Sequence, residues 1–247
     1  MRPQERSLKF VPASVFAILL LSFVAQIGLH WQQPNSAIAA RQLPTPLPAE
    51  LLRAASFGED LAAAKLLMLW LQNFDNQPGL SLPFSALDYT NLAAWLKRVL
   101  ELDPQAQYPL LAASRVYSEV PDLEKQQLML DFVEDEFKRD PNRRWPWMAH
   151  VVYVAKHRMK NPQLALHYAR SLSAHAVGPE VPHWAKQMEI FVLEDMGELE
   201  SAKVLLGGLL DSGKITDPNE QWFLSNRLAE INRRVGRIEP TKNEPKR

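Results

Sequence analysis

The chain has 247 residues, 47% of them hydrophobic, with 28 basic side chains against 28 acidic ones. That length and apolar content can build one large core or two small ones, and the even charge offers nucleic acid no bulk attraction. Cysteine is absent, which excludes disulfides, thiol catalysis, cysteine-ligated zinc, covalent haem and a lipid carried on a cysteine.

The charge balance hides an uneven distribution. Arg2, Arg6 and Lys9 against Glu5 make the first ten residues net +2, and residues 233–247 are net +4, so the middle is net −6. Residues 1–9 read as a cytoplasmic stub. From Phe10 to Ala40 only one basic or acidic type occurs, the neutral His30, and the apolar heart runs from Val11 to Trp31. About twenty apolar residues span a bilayer as a helix. Residues 10–31 are therefore expected to form a transmembrane signal anchor, with Trp31 at the far interface and the positive N-terminus inside. This predicts a single-pass protein of the inner (plasma) membrane, with its main domain periplasmic or extracytoplasmic. The alternative is a cleaved signal peptide, because Ala37-Ile38-Ala39 has the small-x-small form of a cleavage site. Residues 32–50 contain Pro34, Pro44, Pro46 and Pro48 and read as a semi-extended linker.

From residue 51 to 236 the pattern is helical throughout. Apolar residues recur three or four apart, as in Leu128, Phe132, Val133 and Phe137. Helices are expected near 51–57, 60–75, 86–102, 109–119, 122–138, 146–158, 161–176, 182–196, 198–212 and 218–235. The stretch His150–Ala155, "HVVYVA", is β-rich by propensity, but its helical neighbours favour helix. Residues 237–247 read as a basic disordered tail.

The punctuation is periodic. "LDPQAQYP" from Leu102, "RDPNRRWP" from Arg139 and "TDPNEQWF" from Thr216 each place an aromatic residue five positions after the aspartate. Asp103 and Asp140 are 37 positions apart, and Asp217 lies about two such periods further on. A missing beat is expected near 178, in "GPEVPHW". A period in this range signals stacked supersecondary units. Proline ends helices and can open them, so Pro109, Pro146 and Pro182 are expected to open the first helix of each unit.

Residues 86–236 resemble the tetratricopeptide (TPR) repeat family. Leu110, Ala113, Ser114 and Tyr117 in "LLAASRVY" match its first-helix pattern, and Ala202 and Leu206 in "GELESAKVLLGGLL" match its second. The prolines after "LEL" and "FKR" match its closing proline. The period is longer than the family's usual one, and His150 and Val151 depart from its first-helix pattern. The resemblance implies an all-α fold: a right-handed solenoid of antiparallel hairpins with the last helix as a polar-faced cap. It also implies a concave groove lined by first helices, where Tyr108, Leu111, Arg115, Trp145, Met148, Val152 and Lys156 would bind an envelope protein or peptide segment. A carboxylate clamp is not expected, since this face lacks the lysine–asparagine set. Of the two tryptophans, Trp147 is expected between helices, and Trp145, with Arg143 and Arg144, on the partner's side.

Catalytic signals are weak. Gly208, Gly213 and Lys214 fall one residue short of a phosphate loop, because Ile215 stands where Ser or Thr must hold magnesium. A helix C-cap at Gly213 is the plainer reading. His150 and His157, with His167 and His175, lack metal-ligand spacing. Asp131, Glu134 and Asp135 share a helix face, which leaves open a carboxylate-based glycan-cleaving enzyme. No enzyme, cofactor, metal or nucleic-acid partner is expected, and the oligomeric state is open. The expected role is a membrane-anchored adaptor or assembly factor of the cell envelope. The alternatives are a subunit or enzyme handling cell-wall or envelope polysaccharide, and a structural spacer.

Overall fold

A computed structural model describes residues 12–32, 42–74, 76–77, 80–81, 83–213 and 215–238, without the side chains of 30–32, 76–77, 80–81 and 237–238. The stub at 1–9, the small-x-small site at 37–39, Pro34, Lys214 and the tail from 239 lie outside the described residues. The chain divides into two units, residues 1–41 with 78–80, and residues 42–77 with 81–247.

The first unit contains α1 (Ala13–Gln32), a helix with no Asp, Glu, Lys or Arg. Its described side chains, Ala13 to Leu29, are all exposed, leucines and phenylalanines included. Among the described residues no helix is long and apolar enough to cross a membrane.

The second unit is almost wholly helical. It begins with a correction to the linker. From Gln42 the proline-rich run is seated on a helix rather than standing free. Leu43 is buried. Leu43, Pro44 and Leu47 turn their carbonyls to Asn91 Nδ2 (3.1 Å), Trp95 Nε1 (2.8 Å) and Arg98 Nε (3.0 Å). Prolines lack an N–H and cannot pair with one another, so these carbonyls take donors from α4, and the pre-set φ reduces the entropy lost on docking. The helix that receives it is α4 (Tyr89–Leu102), capped by Asp88, whose Oδ1 accepts from the Asn91 N–H.

Ahead of α4 come α2 (Ala49–Ala55) and α3 (Asp60–Gln72). Trp70 of α3 meets Trp95 and Phe74 edge-on, each at 4.8 Å. Strand segments β1 (Asn76–Gln77) and β2 (Leu80–Ser81) follow, so the chain is not purely helical there. A 3-10 turn at Phe84–Ala86 then leads to α4, three residues later than the expected start.

The repeat body runs α5 (Tyr108–Arg115), α6 (Leu123–Phe137), α7 (Pro141–Tyr153), α8 (Pro162–His175), α9 (His183–Lys186), α10 (Met188–Asp195), α11 (Leu199–Asp211) and α12 (Pro218–Ile238). Neighbours in sequence pack on each other, and α4 also touches α6 and α5 touches α7. Leu110, Ala113, Ser114, Tyr117, Ala202 and Leu206 are all buried, so the positions that carry the resemblance are core positions. The β-rich stretch is helical, passing at Val154–Arg158 into a π-helical turn. The helix expected over 182–196 is instead split at Gln187 into α9 and α10.

Each proline beat falls at a helix boundary, with Pro141 and Pro218 the first residues of α7 and α12. At 103 and 217 the aspartate accepts the N–H two residues on, at 3.1 and 2.9 Å, a local turn that asparagine and aspartate favour. At the missing beat, the Asn142 side chain accepts from the Gly178 N–H at 2.7 Å. A Cβ on Gly178 would lie 2.7 Å from Asn142 Cγ, which explains why glycine stands where the other beats have aspartate.

The structure corrects the expected helix start at Pro146. α7 opens at Pro141, five residues earlier, and Pro146 lies inside it. Pro141 takes the first position, where the missing N–H has no partner to lose, and Pro146 costs only one bond near the helix start. Arg144 is also corrected. It is 3% exposed rather than turned toward a partner. Its guanidinium donates to the Glu136 carbonyl (2.6 Å), the Glu136 carboxylate (2.9 Å) and the Pro104 carbonyl (2.9 Å). One side chain thereby joins the end of α6 to the beat of the preceding unit.

Candidate protein-binding groove

The expected groove residues separate into three groups. Met148 and Val152 are buried and face the core, a correction. α7 has α5, α6 and α8 against it, so little of its circumference stays open. Lys156 is half-buried and paired with Asp195. Tyr108, at 46% exposure, and Arg115 are open, and Leu111 is half-buried.

Both tryptophans are half-buried, which corrects the expected division between them. Trp147 donates from Nε1 to Gln107 Oε1 at 2.6 Å, on the α5 side. Trp145 meets Trp184 of α9 edge-on at 5.5 Å. Positions two apart point to opposite sides of a helix, but α7 has a neighbour on each side, so both rings find cover.

Tyr108 stands at the mouth of a cavity of about 530 Å³ between α3, the end of α4 and the start of α5. Ala64 and Met68 of α3, Val99 of α4 and Ala106 with Pro109 form its apolar surface, and Leu69, Gln72, Lys65 and Asp103 also line it. Gln72 Nε2 donates to the Tyr108 hydroxyl at 2.6 Å and so ties the two helices across the opening. Ligand sites are typically of this size and kind, apolar with a few placed polar groups. Sequence reasoning found Tyr108 through the repeat but missed the α3 wall, because α3 lies ahead of the recognisable repeats. The available signal was "LAAAKLLMLWLQ" itself, apolar on every side.

Arg115, the half-buried His150 and the exposed Tyr153–His157 pair form a second group. The Tyr153 ring stacks on His150 at 5.6 Å and meets His157 at 4.8 Å, so it separates the two imidazoles. Burial and then the Arg115 charge push His150 below its ordinary value; Glu119 opposes this and Arg158 adds to it.

The carboxylate face also divides. Asp131 and Asp135, with Glu124 and Lys97, line a pocket of about 540 Å³ between α4 and α6, over Ala93, Leu128 and Phe132. Asp131 accepts from the Tyr168 hydroxyl at 2.6 Å, and burial followed by that bond drives the phenol well above its usual range. Glu134 is not with them. It is buried, with Lys138 at 3.1 Å and His167 at 3.2 Å. Burial pushes its carboxyl up, but hydrogen bonds and charge from its partners outweigh that, and the net shift is downward. A carboxylate held ionised in this way is the opposite of a general acid.

The remaining motifs resolve simply. His175 contacts the Ser171 carbonyl through Nδ1 at 2.8 Å. No group of three or more His, Cys, Asp or Glu among the described residues is placed to hold a metal ion. Gly208 lies inside α11, and Gly213, at φ 66°, follows its end in the left-handed conformation of a helix stop.

Comparison of the chain with protein-family models, with curated proteins and with solved structures gives no match.

Proposed function

We propose that this protein is a membrane-anchored, TPR-like adaptor or assembly factor that holds a segment of an envelope protein in the groove between α3 and α5. The observation that carries the reading is the apolar cavity of about 530 Å³ with the half-exposed Tyr108 at its mouth. An aromatic side chain beside an apolar recess is the usual composition of a binding hot spot. The solenoid reading is supported by buried first-helix positions at Leu110, Ala113, Ser114 and Tyr117 and by successive helix packing. The anchor reading is supported by α1, whose twenty uncharged residues span about 30 Å at 1.5 Å each, and by the basic residues that precede it in the sequence.

The test is a photo-crosslinking residue at Tyr108, with Gln127 beside the α4–α6 pocket as the comparison. In intact membranes Tyr108 should yield one discrete adduct and Gln127 none, and Leu69→Asp should remove the adduct. No adduct, or equal adducts at both positions, would end the proposal.

The α4–α6 pocket favours a second reading, handling of an envelope polysaccharide, because Asp131 and Asp135 line it together over an apolar floor. Asp131→Asn with Asp135→Asn should then abolish retention on cell-wall glycan, and unchanged retention would exclude it.

A further inference from the structure

Asn142 and Trp145 stand three positions apart, on one face of α7, and that face holds the unit that follows. The Asn142 side chain accepts the Gly178 N–H at 2.7 Å, and Trp145 meets the Trp184 ring edge-on at 5.5 Å. Asn219 and Trp222 hold the same two places behind Asp217 on α12. Here nothing covers them. Asn219 is exposed, and its side chain meets no donor among the described residues. Trp222 is 71% exposed. The last helix therefore displays a bare copy of an internal joint, an amide oxygen beside an indole ring. The internal joint also shows what such a surface takes: one backbone N–H and one aromatic side chain.

The chain carries that pair of groups elsewhere, at the corner between α2 and α3. Phe57 is 95% exposed and has φ 52°, a left-handed conformation that is unfavourable for a residue with a bulky side chain. Gly58 follows at φ 91°. Neither of these residues donates its N–H to an acceptor among the described residues. The Arg53–Asp60 pair and the Ser56–Asp60 hydrogen bond brace the corner from behind. Strain of this kind persists where the surroundings enforce it, and it marks functional segments. One tip thus presents a ring and two unused N–H groups on adjacent residues.

We propose that the α2–α3 corner of one copy docks on the start of α12 of a second copy, head to tail. Phe57 covers Trp222, and a corner N–H donates to the Asn219 side chain. Both surfaces are exposed, so they do not meet within one chain. A purely apolar occupant would cover the Trp222 ring but leave the Asn219 oxygen without a donor, whereas the corner supplies both groups. The contact is heterologous, so it continues into a ring or a row of copies. Two rings and one or two hydrogen bonds make a small interface, of the weak and transient class. None of Phe57, Gly58, Asn219 and Trp222 lines the α3–α5 cavity, so the pairing is independent of the adaptor reading.

The two halves can be broken separately in the full chain, held in detergent micelles and followed by sedimentation equilibrium. The mass of the wild type should rise with concentration. Phe57→Asp removes the tip and Trp222→Asp the seat, so each variant alone should stay monomeric, with an unchanged melt because both side chains are exposed. An equal mixture of the two should form one-to-one dimers and nothing larger, since one chain keeps its seat and the other its tip. Asn219→Ala should weaken the wild-type association about fivefold, the loss of one hydrogen bond. Leu69→Asp, which alters the cavity, should leave association intact, so this proposal and the adaptor reading fail separately. A wild type that stays monomeric at every concentration overturns the pairing. So does a mixture that stays monomeric, or association that survives in either variant alone, which would assign the contact to another surface.

Discussion

The stretches Asp140–Trp145 and Asp217–Trp222 carry the same frame, Asp-Pro-Asn, two residues, then tryptophan, yet their side chains meet different fates. At the first, Arg144 is buried and bonded to Glu136 and Pro104, and Trp145 packs edge-on against Trp184. At the second, Gln221 in the place of Arg144 reaches only the Ile215 carbonyl, at 2.5 Å. Trp222, in the place of Trp145, is 71% exposed. The difference is positional. Units precede and follow α7, whereas α12 is the last described helix. In a stack of repeats, burial depends on neighbours as much as on the residue itself.

Substitution can break this comparison at several points. The largest effect is expected at Arg144. Arg144→Ala leaves the buried Glu136 with only Arg139, at 2.9 Å, and two carbonyls without their donor. Removing one partner of a buried pair costs about 3–5 kcal/mol. Gln221→Ala should fall within the ~0.5 kcal/mol usual for surface changes. Thermal melts of the two variants measure the contrast, and equal shifts would refute it.

The tryptophans come next. Trp145→Ala and Trp147→Ala should each cost about 2 kcal/mol, below the ~3–5 of a fully buried ring, because both are only half covered. Trp222→Ala should change the denaturation midpoint little. A large loss at Trp222 would mean that its exposed ring is covered by something else, and an unchanged Trp145 variant would mean that the Trp184 contact contributes nothing.

Writing the motif in where it is missing should do harm. Gly178→Asp restores the aspartate of the other beats but drives its Cβ into Asn142. Overpacking of this kind costs about 1–3 kcal/mol. Adding Asn142→Ala should recover most of that loss, and a double-mutant cycle in urea reads the coupling.

The smallest effect is a pH dependence. His150 has a folded pKa below its unfolded value of 6.5. The stability tied to its neutral form is therefore present above pH 6.5 and declines as pH falls through the lower folded value. Glu134 behaves alike in a lower window, beginning near its unfolded value of 4.5. The melting temperature should fall in two steps on acidification. His150→Gln should remove the first step, and Glu134→Gln should flatten the second.

The cap at α12 sharpens the comparison further. Leu224 and Ile231 are buried and Leu228 is half-buried. Arg227, on a helix expected to turn a polar face outward, pairs with the buried Glu194 of α10, with Nε 3.0 Å from the carboxylate, and with Glu230. The hydrogen bond that it donates to Glu194, and then the Glu194 and Glu230 charges, push the guanidinium further up. Trp222 and Phe223 leave an apolar end on a surface expected to be polar.

The all-helical character and most helix positions were legible in the sequence because local physics sets them. Apolar spacing of three and four makes an amphipathic helix, and proline or a left-handed glycine ends one within a residue or two. Tyr108 was legible for the same reason, since it holds a fixed place five residues after Asp103. What lies across a side chain was not legible. Whether Arg144 is a surface charge or a buried tie depends on Glu136 and on Pro104, forty positions earlier. Whether Met148 and Val152 line a groove or fill the core depends on the helices that flank α7. The proline-rich run looked like a spacer because nothing within it binds anything, and only the donors of α4 seat it. Spacing is a property of the chain, but burial is a property of pairs of surfaces brought together by folding, and the tertiary structure alone decides it.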